Sequence, residues 1–489
     1  MGIPEFLLRK LYVRDSYVEY PDGFSFALLN SFVLAHLTEL KLEGDGQSIP
    51  SVSILIQSPG QNERSADSIT PATPYVLPVG TQVTVRVCGV PLHPRKLTIR
   101  AKTREAGLIS FTLVLGRDHP SRAEEVGPAS SPQEIAHPLA LHFSERDWER
   151  VQHDWKAWWA GELARPLVVA MGGTAADFSE ILQNYPLEVP ANQVLESHRT
   201  ALEAARYYGD AYPKWWPNFG PGVLAAFLGA EVRWEPETAW FEPLAFTSLA
   251  DLHPMYNPDN IWWRRVQEFV RGAVAAWGNQ VAVGHTDLGG LLDVLASLRG
   301  TSQLLLDLYD APQEVERLEA ELTTLWLRYY DELCALIEPA GHGTTCWGPC
   351  WFPGRGYMLQ SDFSYMISPQ MFERFVLPNL AICCEAMDYA FYHLDGPGQI
   401  KHLDMLLSIP RLRGIQWVPG ESNPPPERWL PLLKRIRDGG KLCYVDVTCA
   451  GALQIVRALG GRGFLFRITE YLDPQEAADF LSALIPQNS

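Results

Sequence analysis

The chain has 489 residues, of which 47% are hydrophobic and 20% are charged, and its formal net charge is −17. Single cores stop growing near about 250–300 residues, so we expect one large domain and a smaller one. The acidic balance argues against nonspecific binding to nucleic acid, which requires a basic surface. We find no apolar run of about 20 residues and no signal-peptide pattern, which predicts a cytoplasmic protein without a membrane span.

Residues 1–116 show the alternating pattern of short β-strands separated by turns. Apolar and polar residues alternate in segments 24–29, 82–87, 96–102 and 108–115, which is typical of half-buried strands. Several such strands with Gly and Pro turns predict a small all-β sandwich domain. A homo-oligomer formed through this domain is one arrangement that the sequence leaves open. The polar, Pro-rich residues 117–139 are predicted to be a linker.

Residues 140–489 alternate between strand and helix patterns. Eight strand candidates, of which the second is weak, lie at 165–173, 230–235, 280–284, 343–347, 389–395, 414–417, 442–446 and 464–468. Helical patterns lie between them, for example at 257–277 and 312–337, and residues 348–367 are predicted to be a long loop. Eight strands alternating with helices predict an α/β fold, a (β/α)8 TIM barrel.

The segment Asp388–Glu421 has the densest set of polar residues at predicted strand ends. Its first strand ends in His393-Leu-Asp395 followed by Gly-Pro-Gly, and its second ends in Gln416-Trp417. In α/β barrels the chemistry takes place at the carboxyl ends of the strands. Glycine also permits close approach between the backbone and a ligand. We therefore expect His393 and Asp395 to belong to the functional site.

Polar and aromatic residues at the other strand ends are expected in the same bowl. Neighbouring carboxylates and imidazoles shift each other's pKa values and can supply an acid and a base. The predicted catalytic residues are His393, Asp395, Asp446, Glu470 and Asp287. Aromatic faces and hydrogen-bonding groups suit sugar rings. The predicted substrate-binding residues are His285, Asn218, Trp216, Trp347, Tyr357, Asp362, Gln416, Trp417 and Glu421.

Some of these residues have structural alternatives. Asp287 and Asp362 could cap helices or pair with an arginine, and Asn218 could form an ordinary loop turn.

The first domain resembles the small β-sandwich accessory subunit of bacterial C-glycoside-cleaving enzymes. The resemblance rests on GFSFALLN, LTELKLEGDG, LPVGTQVTVRV and LTIRAKT, between residues 23 and 103. It implies a sandwich fold and transfers no catalytic residue to this chain.

Residues 140–489 resemble the uroporphyrinogen decarboxylase superfamily. The segments that carry the resemblance are 220–232, 304–312, 361–378 and His393-Leu-Asp395-Gly. The superfamily includes cobalamin-independent methionine synthase and zinc methyltransferases that act on methylated corrinoid proteins. The resemblance implies a (β/α)8 barrel enzyme.

Two differences from the superfamily's sequence motifs bear on the choice between decarboxylation and methyl transfer. The decarboxylases carry an Arg-rich N-terminal signature, which segment 165–173 lacks. The methyltransferases carry His-x-Cys and a later Cys, whereas this chain has His393-x-Asp395. A zinc ion, if bound, would use His393, Asp395 and Cys449, but oxygen ligation changes the metal preference. No cofactor is favoured.

These observations favour acid–base chemistry on a small polar, carbohydrate-type substrate, either glycoside hydrolysis or elimination. The alternatives are a metal-dependent methyltransferase with a corrinoid or thiol partner, a decarboxylase of another carboxylated molecule, and a non-catalytic binding protein.

Overall fold

The chain forms two compact units, Met1–Ala129 and Ser130–Ser489. The computed structural model describes residues 16–30, 35–58, 62–77, 81–90, 94, 96–104, 107–114, 139–173, 187, 189–234, 239–245, 248–338, 340–420 and 423–484. The predicted linker 117–139 lies outside these residues, except for Leu139. No helix in the described part combines the length and the apolar character that crossing a membrane requires.

The first unit consists of antiparallel strands. These are β1 (Val18–Tyr20), β2 (Gly23–Asn30), β3 (Ala35–Gly44), β4 (Gln47–Ile49), β5 (Ile54–Gln57), β6 (Arg64–Ser65), β7 (Tyr75–Leu77), β8 (Thr81–Cys88), β9 (Lys96–Thr103) and β10 (Gly107–Val114). One sheet has the order β1-β2-β8-β5-β6, and the other has β10-β9-β3-β4 with β7 paired to β3. Buried side chains of both sheets, such as Phe24, Val87 and Leu97, form one apolar cluster. The alternation read from the sequence therefore corresponds to two sheets that share a core.

The second unit contains twelve described strands. They are β11 (Leu167–Gly172), β12 (Arg206–Gly209), β13 (Lys214–Trp215), β14 (Glu231–Trp234), β15 (Ala239–Glu242), β16 (Ala282–Gly284), β17 (Thr344–Thr345), β18 (Gly356–Leu359), β19 (Tyr389–Asp395), β20 (Leu412–Val418), β21 (Leu442–Val447) and β22 (Phe464–Tyr471).

Helices follow most of these strands. They are α1 (Glu145–Trp159), α2 (Ala191–Ala204), α3 (Leu224–Phe227), α4 (Ile261–Trp277), α5 (Leu291–Arg299), α6 (Thr301–Asp310), α7 (Pro312–Ile337), α8 (Pro369–Met371), α9 (Leu377–Glu385), α10 (Leu403–Ser408), α11 (Leu430–Asp438), α12 (Cys449–Leu459) and α13 (Pro474–Leu484). A π-helical turn, Phe372–Val376, joins α8 to α9. Short 3₁₀ helices span Ser51–Ser53, Ala66–Ser68, Leu249–Asp251, Asp362–Met366, Pro397–His402 and Pro426–Arg428.

The strands of the second unit form a seven-stranded sheet and two smaller sheets. The large sheet has the order β12-β11-β22-β21-β20-β19-β18, a second has β13-β16-β17, and β14 pairs with β15. Only β12 is antiparallel within the large sheet, where β11 and β22 pair in parallel. Parallel pairing of the earliest and latest strands is a feature of closed barrels. Among the described strands no pairing joins the large sheet to the three-stranded one, so the closed barrel stays a prediction.

Two parts of the predicted strand order are wrong. The segment 230–235 forms the separate antiparallel hairpin of β14 and β15 instead of a barrel strand. Its charged residues alternate with apolar ones, which suits a half-exposed hairpin. The predicted loop 348–367 contains β18, which is fully buried and pairs in parallel with β19. Four residues beginning with glycine are too short for the periodicity to detect.

Several of the numerous tryptophans belong to the core of the second unit. The rings of Trp155 and Trp158 in α1 are completely buried. Their indole nitrogens donate to the backbone oxygens of Asp210 at 3.0 Å and Phe464 at 3.1 Å. Each satisfied indole lets a large aromatic ring pack inside the protein without an unpaired donor. These tryptophans therefore need no ligand to explain them.

Candidate functional site

Three side chains converge at the carboxyl ends of β18 and β19. Asp362 follows β18, and His393 and Asp395 lie on one face of β19, two residues apart. One ligand atom from each of the three lies within 4.8 Å of the other two. Among the described residues this is the one group of three or more His, Cys, Asp or Glu side chains that meets this criterion. The intervening Leu394 is buried on the opposite face, as the alternation of a strand requires.

A hydrogen bond determines the orientation of the His393 ring. His393 and Gln416 are partners in the parallel register of β19 and β20, and His393 Nδ1 lies 2.6 Å from Gln416 Oε1. Because an amide oxygen only accepts, His393 carries a proton on Nδ1, and in the neutral ring Nε2 keeps its lone pair. The Trp347 ring packs against the same ring in a T-shaped arrangement, at a centroid distance of 5.1 Å. His393 is therefore held as a base or a metal ligand.

The carboxyl group of Asp362 is predisposed to keep its proton. Its surroundings raise its pKa to about 7, first through burial of the carboxyl group and then through the charges of Asp395 and Asp287. The residue as a whole still presents solvent-exposed surface. Near neutral pH Asp362 can therefore act as a proton donor beside Asp395.

Asp287 lies in the loop after β16 and is almost completely buried. Burial raises its pKa to about 6, while the charge of His393 lowers it. Its Oδ1 accepts from the Gly289 N–H at 2.8 Å. The Tyr357 hydroxyl holds the same loop, because it accepts from the Leu288 N–H at 2.8 Å and donates to the Thr286 oxygen at 3.2 Å. Through these two hydrogen bonds Tyr357 fixes the position of the loop that carries Asp287.

Asp293, in the first turn of α5, is a functional candidate that the sequence analysis missed. Its carboxylate accepts from the backbone N–H groups of Asp362 at 2.9 Å and Phe363 at 2.7 Å. Burial raises its pKa to about 7, with a further contribution from the charge of Asp362. The sequence does contain a signal for Asp293. A Gly-Gly pair follows a strand, a helix begins directly after the pair, and Asp293 is an acidic residue in its first turn. Asp293 positions the segment that carries Asp362.

The Gly-Pro-Gly break after Asp395 accommodates an aromatic ring of the same chain. Tyr365 keeps 51% of its surface exposed, and its ring lies against the backbone of Gly396 and Gly398. A Cβ atom at Gly398 would lie 2.6 Å from the ring, and one at Gly396 would lie 2.9 Å from it. The predicted close approach at this break is therefore made by Tyr365. Its ring therefore lies beside the backbone that directly follows Asp395.

We predict that Gly398→Ala destabilises the protein by about 1–3 kcal/mol, because the new methyl group overlaps three Tyr365 ring atoms. In the Tyr365→Ala background the same change should cost much less, because the overlapping ring is gone. Urea unfolding of the four proteins of this cycle measures the coupling. Gly354→Ala is the matched control, since its nearest neighbour would lie at 3.6 Å. Equal costs in both backgrounds would contradict the packing.

Three other predicted polar residues form pairs apart from the cluster. Asp446 receives two hydrogen bonds from Arg467, at 2.7 and 3.0 Å, and one from the Tyr444 hydroxyl at 2.6 Å. Glu470 accepts from the backbone N–H of Cys449 at 2.9 Å. Burial, and after it the charge of Glu470, raise the pKa of the Cys449 thiol to about 11. Cys449 is absent from the Asp362–His393–Asp395 group, in which the third side chain beside His393 and Asp395 is that of Asp362.

His285 and Trp417 lie away from the cluster, packed among aromatic side chains. His285 is fully buried beside Tyr330 and Tyr357, at centroid distances of 5.0 and 6.0 Å. Burial lowers its pKa to about 3, so the ring is neutral. Trp417 follows Gln416 on β20, so its side chain lies on the face of the sheet opposite to that of Gln416. There its ring packs against Trp429, with a centroid distance of 5.0 Å. A one-residue offset in a strand reverses the direction of the side chain.

The remaining predicted binding residues have structural contacts or lie outside the described part. Asn218 accepts from the Gly220 N–H at 3.1 Å, which is the loop turn that its sequence context allowed. Trp216 is buried, with its Cβ next to Gly284. Glu421 lies outside the described residues, so its predicted role stays a prediction.

Comparisons with known proteins give no specific function. A family model for the N-terminal domain of hydroxymethylglutaryl-CoA reductase matches residues 7–113. This family differs from both families that the sequence resembles, and the match covers a minor part of the chain. No curated protein matches the chain.

Solved structures show low similarity. A methyltransferase from Methanosarcina mazei has 13% identity and a TM-score of 0.45, over 68% of this chain and 97% of that chain. A GH5 xyloglucanase from Bacteroides ovatus, in complex with a XXXG heptasaccharide, has 11% identity and a TM-score of 0.28, over 97% and 99%. Both neighbours are enzymes of different classes. At this similarity no function follows from them.

Proposed function

We propose that the second unit is a (β/α)8 barrel enzyme whose active site is the Asp362–His393–Asp395 cluster. In this arrangement the seven-stranded and three-stranded sheets are two arcs of one barrel. The parallel pairing of β11 with β22 supports closure of the ring. The position of the cluster also supports the proposal, because it lies at the carboxyl ends of parallel strands, where barrel enzymes carry out their chemistry.

The reaction that this geometry supports best is acid–base elimination on a small polyhydroxylated, carbohydrate-type substrate. The observation that carries it is the His393 Nδ1–Gln416 hydrogen bond of 2.6 Å, which leaves Nε2 available as a base beside the two carboxyl groups. His393 Nε2 removes a proton from carbon, the C–H electrons form the new double bond, and the C–O bond breaks. Asp362 donates its proton to the departing oxygen. Asp395 stabilises the imidazolium that forms.

Elimination is favoured over inverting hydrolysis by the spacing of the carboxyl groups. Inverting glycosidases separate their two carboxyl groups by about 6.5–9.5 Å to admit water between them. Here the ligand atoms of Asp362 and Asp395 lie within 4.8 Å. A proton donor and a base on the same side of the substrate can together remove a proton from one carbon and an oxygen leaving group from the next. The exposed Tyr365 ring offers a face for a sugar ring.

Metal-dependent methyl transfer is a second candidate function. The three possible ligand side chains of the cluster support it. Two carboxylates and one imidazole fit a divalent cation, and the hydrogen bond from His393 to Gln416 is the usual support for a ligating histidine. Without a thiolate the set suits Mg²⁺ or Mn²⁺ better than the zinc–thiolate chemistry of the superfamily. A bound cation would activate a substrate hydroxyl or thiol.

Metal analysis of the purified chain, followed by a substrate screen, separates the two candidates. Elimination predicts no stoichiometric metal and release of nitrophenol from nitrophenyl glycosides, or from their 3-keto forms, by the metal-free protein. One equivalent of metal that is lost in His393→Ala would favour the second candidate. Absence of turnover on every glycoside tested, by a folded protein, would overturn the first.

A further inference from the structure

Glu319 of α7 is a buried acid that the proposed chemistry does not use. Only 1% of its surface is exposed, and its Oε1 has no hydrogen-bond partner among the described residues. Burial raises its pKa well above the usual range, and the charge of Asp293 acts in the same direction, which favours the neutral carboxylic acid. An unpaired buried polar atom costs about 1–3 kcal/mol, so we expect a hydrogen-bond partner for this oxygen.

A cavity beside Glu319 has room for one such partner. Its volume is about 20 Å³, and a site that holds one water molecule needs only about 10–15 Å³. Glu319, the hydroxyl-bearing Ser361 and the segments around Gly289 and Gln360 line it, among apolar residues. A carboxylic acid together with backbone and hydroxyl groups can supply the two to four hydrogen bonds that a buried water requires.

The cavity lies at the junction of two backbone segments that carry candidate site residues. Gly289–Gly290 leads into α5 with Asp293, and Gln360–Ser361 leads into Asp362. The two segments are in direct contact, because a Cβ atom at Gly290 would lie 2.3 Å from the Gln360 oxygen and 2.4 Å from Asp293 Oδ2. Whatever occupies the cavity therefore influences the relative position of Asp293 and Asp362.

We propose that Glu319 is a positioning residue that, through one buried water molecule, holds the Gly289–Asp293 and Gln360–Asp362 segments together behind the active site. The importance of those segments for catalysis rests on the proposed function. The water site itself depends only on Glu319, the cavity and the contact between the segments. Glu319 belongs to α7 and to neither of the two segments, so this contact would link the helix to both of them.

Glu319→Gln and Glu319→Leu test the proposal without a substrate. A crystal structure at high resolution should show one ordered water in the cavity of the wild type and of Glu319→Gln, and none in Glu319→Leu. Hydrogen–deuterium exchange of peptides covering 289–293 and 360–366 should accelerate about tenfold in Glu319→Leu and stay near wild type in Glu319→Gln. Peptides from α12 and α13 serve as the internal control for global opening.

A dry cavity in the wild type, or equal exchange in the two variants, would overturn the proposal. If Glu319→Leu fails to fold, Glu319→Met supplies a second apolar side chain of similar size for the same comparison. Failure of the glycoside screen leaves these results unaffected, so the outcome for Glu319 and the outcome for the proposed function can be told apart.

Discussion

Replacing His393 by alanine is expected to lower kcat/KM by about 10²–10⁴-fold on any glycoside that the wild type eliminates, because the general base is lost. His393 is held by a hydrogen bond to Gln416 at 2.6 Å and by a T-shaped contact with Trp347. The substitution removes a half-buried ring, so the unfolding free energy should be measured together with steady-state kinetics. Glutamine at 393 preserves part of the volume and should be equally inactive.

The control for His393→Ala is His153→Ala, since His153 is an exposed histidine of α1. It should retain wild-type activity. Activity of His393→Ala within about threefold of the wild type, in a folded protein, would exclude His393 as the base, because the loss expected for a general base is at least about 10²-fold.

The pH dependence of kcat/KM tests the role of Asp362 as the acid in the same mechanism. Asp362 must be protonated to donate to the leaving oxygen, and its pKa is raised to about 7. The kcat/KM value should therefore decrease as the pH rises through about 7. Asp362→Asn should remove most of the activity, whereas Asp404→Asn, an exposed carboxylate paired with Arg435, should leave the profile unchanged. A profile that stays flat to pH 9 would contradict the role of Asp362 as the acid.

Period-two alternation explains which strand-end residues could be predicted from the sequence. His393 and Asp395 are two residues apart, so a strand ending there places both on one face, and Gln416 joins them through parallel pairing. The same rule directs Trp417 to the opposite face. The prediction of Trp417 as a binding residue rests on strand-end position, which alone does not give the phase of the alternation.

Contacts between segments distant in the chain could not be predicted from the sequence. Asp362 was recognised as a strand-end residue, but its place in the cluster depends on β18, a strand too short to have a periodic signal. The partner of its backbone N–H is Asp293, 69 residues away. Likewise, the resemblance to methyltransferases with a later Cys suggests Cys449 as a metal ligand, whereas in the structure its backbone N–H donates to Glu470. Tertiary packing determines these neighbours.

Asp293→Ala is expected to lower kcat/KM by about 10²-fold, although Asp293 is not expected to touch substrate. The change removes the acceptor of the Asp362 and Phe363 N–H groups, and displacement of a reacting group by about 1 Å can cost about 10²-fold in rate. The loss of stability should be smaller, about 1–2 kcal/mol, because the Asp362 N–H is solvent-exposed and water replaces part of the hydrogen bonding.

The Asp293→Asn variant distinguishes two effects of Asp293 on Asp362, the hydrogen bonding that positions it and the negative charge beside it. The amide keeps one acceptor oxygen and removes the like charge beside Asp362, so we expect partial activity and a lower apparent pKa on the alkaline limb of the profile. Steady-state kinetics between pH 5 and 9 measure both effects, with Asp310→Ala, at the exposed end of α6, as the control. If Asp293→Ala retained full activity with an unchanged pH profile, Asp293 would be only a cap of the Asp362–Met366 turn, and Asp362 would hold its position without it.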